Sequence, residues 1–294
     1  MKAAFVLVAG LLLGACQTTK PVGISTACAN EIAAVERYNL LRDIEFMPPI
    51  VLRPHCLAEQ IAGRQIEDTR PTSVNPIAPP KGPRATKGAV LFINGVDYAQ
   101  RRRHHIDEST ISVLDWISFA ELDVYRLDLS VIDQSRFNLI FAAMDRAIGD
   151  MRGQGYRRVF VAGHSIGAVA ALVSVSSRPV QSDGAVLFAA GFMDASQSRE
   201  TNLHRYQAWT SAVQPDKRIA VFHFRDDEIF GALHEETVEI SRQTLGTRRN
   251  AMVRVPSRVT GHDGTKDFNF YNIYGRCLGE FLAAENPNER VCPP

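Results

Sequence analysis

From residue 88 onward, apolar and polar positions switch between two periods. Short apolar runs at 89–94, 122–127, 157–162, 184–190, 218–224 and 251–255 read as buried strands. Between them, apolar positions recur every three or four residues and predict helices at 109–121, 135–152, 198–213, 232–245 and 267–284. In the second of these, Phe137, Ile140, Phe141, Met144, Ile148 and Met151 form one stripe, as expected of a helix that buries a single face. Repeated strand–helix units imply a mainly parallel sheet with helices on both faces. Ligands on such sheets bind at the carboxyl ends of the strands.

The first 87 residues follow neither pattern. After Met1 and Lys2, residues 3–15 are apolar throughout. Thirteen residues at about 1.5 Å each reach only about 20 Å, short of a membrane span. The stretch reads as the hydrophobic region of a signal peptide. Residues 17–24 form a polar tether. Residues 25–42 read as helical, with Ile32, Val35, Tyr38, Leu40 and Leu41 for packing; 47–54 is broken by prolines, and 58–67 predicts a second short helix. Residues 71–87 carry Pro71, Pro76, Pro79, Pro80 and Pro83 and predict an extended connector. The chain thus divides into a signal peptide (1–15), a tether with an N-terminal appendage (16–87), and one α/β domain (88–294). Roughly 280 residues remain after the signal, enough for one large α/β core.

Charge and cysteines narrow the class. The 33 basic and 32 acidic residues leave a formal charge of +1, which argues against a nucleic-acid surface. Of the five cysteines, Cys16 directly follows the apolar run. Leu13, Gly14, Ala15 and Cys16 together resemble a bacterial lipobox. That resemblance implies cleavage before Cys16 and attachment of acyl chains such as palmitate; two or more chains give a stable anchor. It places the protein in the cell envelope, lipid-anchored and facing the periplasm, and Gln17 at the next position favours the outer membrane. A plain secretory signal is the alternative. Four cysteines remain, and an even number in an exported chain suggests two disulfides. Of three possible pairings, Cys28–Cys56 with Cys277–Cys292 closes the shortest loops. No paired Cys–Cys or His–Cys spacing suggests a metal, and no phosphate-binding loop suggests a nucleotide cofactor.

The candidate chemistry begins in the apolar run at 159–162, which leads into Gly163, His164, Ser165, Ile166 and Gly167 and then Ala168, Ala170 and Ala171. A bare G-x-S-x-G turns up by chance in roughly one chain of this length in ten; the strand before it and the small-residue helix start after it give it meaning. Together they resemble the nucleophile elbow of the α/β-hydrolase superfamily. The turn is so tight that its flanks must be small. It lifts the Ser165 hydroxyl into the open, and the helix N-terminus offers amide donors to a developing oxyanion.

The resemblance implies two further groups. A base is supplied by His262, on a glycine-flanked loop after the last strand. The other histidines fit less well: His164 lies inside the elbow and points inward, His55, His204 and His234 lie on the appendage or on helices, and His223 lies within a strand. The acid is expected after the strand at 218–224, where the family runs into G-x-x-D and a hydrophobic pair. That register selects Asp227, with Asp226 beside it and Asp194 as a second alternative; here Phe224 replaces the usual glycine. The order Ser165, Asp227, His262 is the family order. The oxyanion donors implied are the amides of Ile166 and Val96, the latter in the loop carrying Asn94 and Gly95 after the first strand. Arg101, Arg102, Arg103, His104 and His105 follow that loop. They read as a solvated basic segment, with anionic substrate or lipid headgroups as the functional alternative. Trp116, Phe119 and Trp209 read as core or cleft walls.

The expectation is therefore a serine hydrolase of α/β-hydrolase fold, most simply a carboxylesterase, without cofactor or metal, acting on a small-molecule or lipid-like ester. An acyltransferase using the same triad and a non-catalytic envelope-binding lipoprotein are the rival classes. Substrate, bond type and oligomeric state are not legible.

Overall fold

The computed structural model describes residues 72–73, 80–93, 113–127, 137–177, 182–191, 197–286 and 292–293. Their elements alternate as the periodicity predicts. In chain order they are β1 (Thr72–Ser73), β2 (Gly88–Ile93), α1 (Val113–Phe119), β3 (Leu122–Leu127), α2 (Phe137–Gln154), β4 (Val159–His164), α3 (Ile166–Ser177), β5 (Gly184–Phe188), α4 (Arg199–Ala212), β6 (Arg218–Phe222), α5 (His234–Leu245), β7 (Ala251–Arg254) and α6 (Phe268–Ala283).

The strands form one sheet in the order β1-β3-β2-β4-β5-β6-β7. Every neighbouring pair from β3 to β7 is parallel, and β1 adds an antiparallel edge on β3. This is the architecture that the α/β-hydrolase resemblance implies.

Side chains alternate across the sheet, so its period of two sorts the core into layers. Leu91, Val161, Leu187 and Val221 face one layer with Met144, Ile148 and Met151 of α2, the apolar residues of α3 from Ile166 to Val175, and Tyr206 and Leu245 of α4 and α5. Phe92, Phe160, Phe188 and Phe222 face the other, with Ile117 of α1 and Phe270, Tyr274, Leu278 and Phe281 of α6. The second layer is sealed by close helix contact: a β-carbon at Gly275 would fall 2.1 Å from Trp116 Cδ1, and one at Gly279 2.7 Å from the Trp116 carbonyl oxygen. Trp116 is half-buried in this contact, whereas Phe119, read as a core or cleft wall, is 57% exposed.

The helix ends follow local chemistry. Ser198 caps α4 by accepting from the Thr201 amide, and Asp267 caps α6 by accepting from Asn269, the first-turn donors that a helix leaves unpaired. At the other end of α6, Arg158 donates to the carbonyls of Ala283 and Ala284, and Arg218 to those of Phe281, Leu282 and Ala284. Cations at a helix C-terminus also oppose its negative dipole end. The strand expected at 157–162 starts two residues later, at Val159, and runs through His164.

The connector differs from expectation near its end. Residues 80–87 turn rather than extend: Gly82 has φ +87°, Pro83 follows, and the Ala85 amide bonds to the Gly82 carbonyl. Proline presets the second turn position. The buried Asp123 carboxylate holds the turn, accepting from the amides of Lys81 and Gly82 at 2.8 Å each and from the Tyr156 hydroxyl at 2.5 Å.

Cys277 and Cys292 are bonded, with Cα atoms 5.3 Å apart, as the shortest-loop pairing predicts; Cys28 and Cys56 lie outside the described residues. Arg254 reinforces the tail by donating to the carbonyls of Cys292 and Pro293. Closing a loop of this size restricts the unfolded chain by about 3 kcal/mol. Cys277→Ser with Cys292→Ser should therefore lower unfolding free energy by up to about that amount, read as a lower urea midpoint. A midpoint unmoved by the double substitution would show that the tail contributes nothing.

Candidate active site

Three turns meet at the carboxyl edge of the sheet, after β4, β6 and β7. The first is made by glycines. A β-carbon at Gly163 would fall 2.1 Å from the Gly167 carbonyl carbon and oxygen and 2.6 Å from the Ala168 nitrogen. Strand and helix therefore meet backbone to backbone, as a tight elbow requires. Ser165, at the apex, has φ +56°. That region is unfavourable for a residue with a β-carbon, and it persists here because the backbone is pinned: the Ser165 amide donates to the Phe188 carbonyl, and its carbonyl accepts from Ala168 and Val169. Ile166 opens α3, so its amide is among those that an α-helix leaves without an internal partner.

The second turn carries Asp227. Its side chain is buried, and its Oδ1 accepts from the amides of Ile229 and Phe230 at 3.0 and 3.2 Å. The third turn carries His262, whose Nδ1 lies 3.0 and 2.9 Å from the two Asp227 oxygens. A carboxylate can only accept, so Nδ1 carries the proton and Nε2 presents a lone pair. Burial works against charge on Asp227; the His262 bond, the His262 charge and the two amides outweigh it and hold the carboxyl below its ordinary value. Asp226, by contrast, is exposed with φ +54°. Of the two adjacent aspartates it is Asp227 that meets the histidine.

Phe224 stands where the resemblance implied glycine, and the space it needs comes from the facing loop. A β-carbon at Gly264 would sit 2.6 Å from Phe224 Cγ. The phenyl ring is fully buried.

His164 points inward, as expected, and is buried. Its Nε2 donates to the His262 carbonyl at 2.9 Å, and the two rings lie 5.0 Å apart. Burial pushes its pKa down to about 4, so it is neutral at pH 7. His223 falls just past the end of β6 rather than within it, with Nε2 2.9 Å from Ser241 Oγ, which in turn lies 2.8 Å from the Tyr206 hydroxyl. Burial, together with His234, pushes the His223 pKa down to about 3. His204 lies in α4 and His234 opens α5.

Sequence reasoning missed one contact of this site. The Glu228 Oε2 accepts from the His262 amide at 3.0 Å. Its only sequence signal is adjacency to Asp227. Val96 and Asp194 lie outside the described residues, as do Cys16 and residues 101–105. Among the described residues, no group of three or more His, Cys, Asp or Glu side chains could hold a metal.

The two buried histidines set an acid limit on stability. Unfolded, each takes up a proton near its ordinary value of about 6.5; folded, they do so only near 4 and 3. Their depressed values mean that the unfolded chain binds more protons below about 6.5. Stability should be full above that pH and fall as pH drops toward 4, by about 1.4 kcal/mol per pH unit for each histidine at the steepest point. Asp227 adds a further loss at lower pH, as its carboxylate protonates. Urea midpoints between pH 8 and 4 would show the slope, and His223→Gln should flatten it by about one proton. An unchanged slope in that variant would remove His223 as its source.

No family model matches this chain, and no curated protein sequence matches it. Among solved structures it is similar to an esterase of Pyrococcus furiosus, with 15% identity over 67% of this chain and 81% of that one and a TM-score of 0.48. It is also similar to a monoacylglycerol lipase of Paleococcus ferrophilus, with 12% identity over 68% and 95% of the two chains and a TM-score of 0.49. An S-formylglutathione hydrolase of Agrobacterium tumefaciens gives 15% identity over 73% and 88%, with a TM-score of 0.48.

Proposed function

We propose that this protein is a serine hydrolase that cleaves a carboxylic ester through an acyl-enzyme. The observation that carries the reading is the Asp227–His262 pair at 2.9 Å, set on a sheet edge where the His262 carbonyl is bonded to the residue next to Ser165. A buried, ionised acid fixes the tautomer in which the histidine Nε2 can accept a proton. A serine held at the apex of a tight strand–helix turn is the group that such a base serves.

In the reaction, the Ser165 Oγ attacks the ester carbonyl carbon while its proton passes to His262 Nε2. The imidazolium is stabilised by Asp227. The amide of Ile166, and that of Val96 from the loop after β2, receive the carbonyl oxygen as it becomes an oxyanion. Collapse expels the alcohol, which takes the proton from His262. Water then attacks the acyl-serine with His262 again as base, and the acid leaves. We further propose that the Cys16 lipobox tethers the enzyme to the cell envelope, facing the periplasm. Intact-mass analysis of the mature native protein should find Cys16 acylated at its N-terminus, and an unmodified N-terminus would remove the anchor.

Ser165→Ala should lose nearly all hydrolysis of p-nitrophenyl esters, and should no longer be labelled by a fluorophosphonate. Retained activity would eliminate the triad. Asp227→Asn should lower kcat by up to about 10^4-fold, because the neutral amide favours the wrong tautomer. Asp226→Asn should change it little. The reverse ranking in folded protein would reassign the acid. Added alcohol acceptors should leave the acid as the main product; ester formed in its place would mark a transferase.

A further inference from the structure

Beyond the triad itself, we infer that Glu228 and His164 are positioning residues that hold the His262 backbone from opposite sides and so set where its imidazole stands. The inference rests on the serine-hydrolase reading of Ser165, Asp227 and His262.

His262 sits between two glycines, in a turn closed by the Gly264 amide donating to the Gly261 carbonyl at 3.0 Å. Gly261 has φ +80°, and Gly264 follows three residues later. Glycine widens the conformational range of such a loop. Yet an acid–base residue must return to the same place in each half of the reaction, and a displacement of about 1 Å can lower the rate a hundredfold. The contact of Nδ1 with the Asp227 carboxylate, by itself, leaves the ring free to pivot with its backbone. The chain supplies what the loop lacks. Arg225 pairs with Thr260 in an isolated parallel bridge, and the Gly261 amide donates to the Arg225 carbonyl at 2.7 Å. At residue 262 the partners become side chains. The Glu228 carboxylate takes the His262 amide at 3.0 Å, and His164 Nε2 gives its proton to the His262 carbonyl at 2.9 Å.

The two clamps come from the two turns that the histidine must serve. Glu228 adjoins the acid Asp227, and His164 adjoins the nucleophile Ser165. Any shift of His262 relative to either turn therefore stretches a hydrogen bond. The two clamps also differ in exposure. His164 is buried, so its removal leaves a hole as well as a missing bond. Glu228 is exposed, so its bond competes with water and adds little to stability. What Glu228 contributes is geometry, and this makes it the cleaner probe.

The test is Glu228→Ala beside Glu228→Gln, in the full chain. Glutamine keeps an acceptor oxygen for the His262 amide and drops the charge; alanine drops both. With a p-nitrophenyl ester, Glu228→Ala should lower kcat by about ten- to hundredfold, with KM and the urea midpoint close to wild type. Fluorophosphonate labelling of Ser165 should slow in parallel, and Glu228→Gln should restore most of both rates. The far-downfield proton resonance of His262 Nδ1–H on Asp227 should broaden in the alanine variant and return in the glutamine one. Unchanged kcat in Glu228→Ala overturns the inference. So does an equal loss in both variants, which would assign Glu228 to charge, and so does a fall in kcat matched by a fall in stability. The proton resonance separates this failure from failure of the serine-hydrolase reading. Should Ser165→Ala remain active, that reading falls, while the dependence of the resonance on Glu228 still decides whether the clamp holds His262.

Discussion

The molecule is organised around a contact in which no side chain takes part. Gly163 and Gly167 bring β4 and α3 together backbone to backbone, and a methyl group there would overlap the Gly167 carbonyl. The approach throws Ser165 into a left-handed conformation and lays α3 across the centre of the sheet. From Ile166 to Val175 every residue of α3 is buried. A helix apolar on all sides must be enclosed, so α2 and α4 flank it while the sheet covers its inner face. The turn that exposes the serine is the same turn that lets the core close.

Around that turn, the sheet edge is assembled by side chains bonding to backbone rather than by extended ladders. Asp227 takes two amides of its own turn and the ring of His262; Glu228 and His164 take the two backbone groups of residue 262. The charges follow the same logic. A charged neighbour 5.0 Å from the His262 ring would oppose formation of the imidazolium. Burial keeps His164 neutral, so it can stand that close and still donate a hydrogen bond. The ionised carboxylate of Asp227 is then the charge in direct contact with the ring.

The opposite edge of the sheet also bears on the site. Arg158, just before β4, and Arg218, the first residue of β6, fix the C-terminal end of α6. Arg254 and the Cys277–Cys292 bridge bind the tail to the same helix and to β7. The other end of α6 begins at the Asp267 cap, a few residues after His262. Anchoring the helix below thus limits where the histidine turn can go above. Gly264 adds the last constraint: the buried ring of Phe224 occupies the place of its missing side chain.

Much of this was legible along the chain because it is written in local terms. Alternating apolar runs give the strands, three- and four-residue spacing gives the helices, and a glycine-framed serine between a strand and small residues marks the elbow. Ser198 and Asp267 cap helices close to the expected bounds for the same reason. The bond between Cys277 and Cys292 follows from short loop closure. What the chain alone left open depended on which turns meet. Asp226 and Asp227 are chemically alike, and only the register of the turn after β6 buries one against His262 and exposes the other. The bulk of Phe224 in that turn becomes intelligible once Gly264 is seen facing it. Glu228 carries no signal beyond its neighbour, because its partner is a backbone amide 34 positions away. Periodicity and turn chemistry act over a few residues and can be read in one dimension; contacts between loops are set by packing of the whole sheet, and that exists only in three.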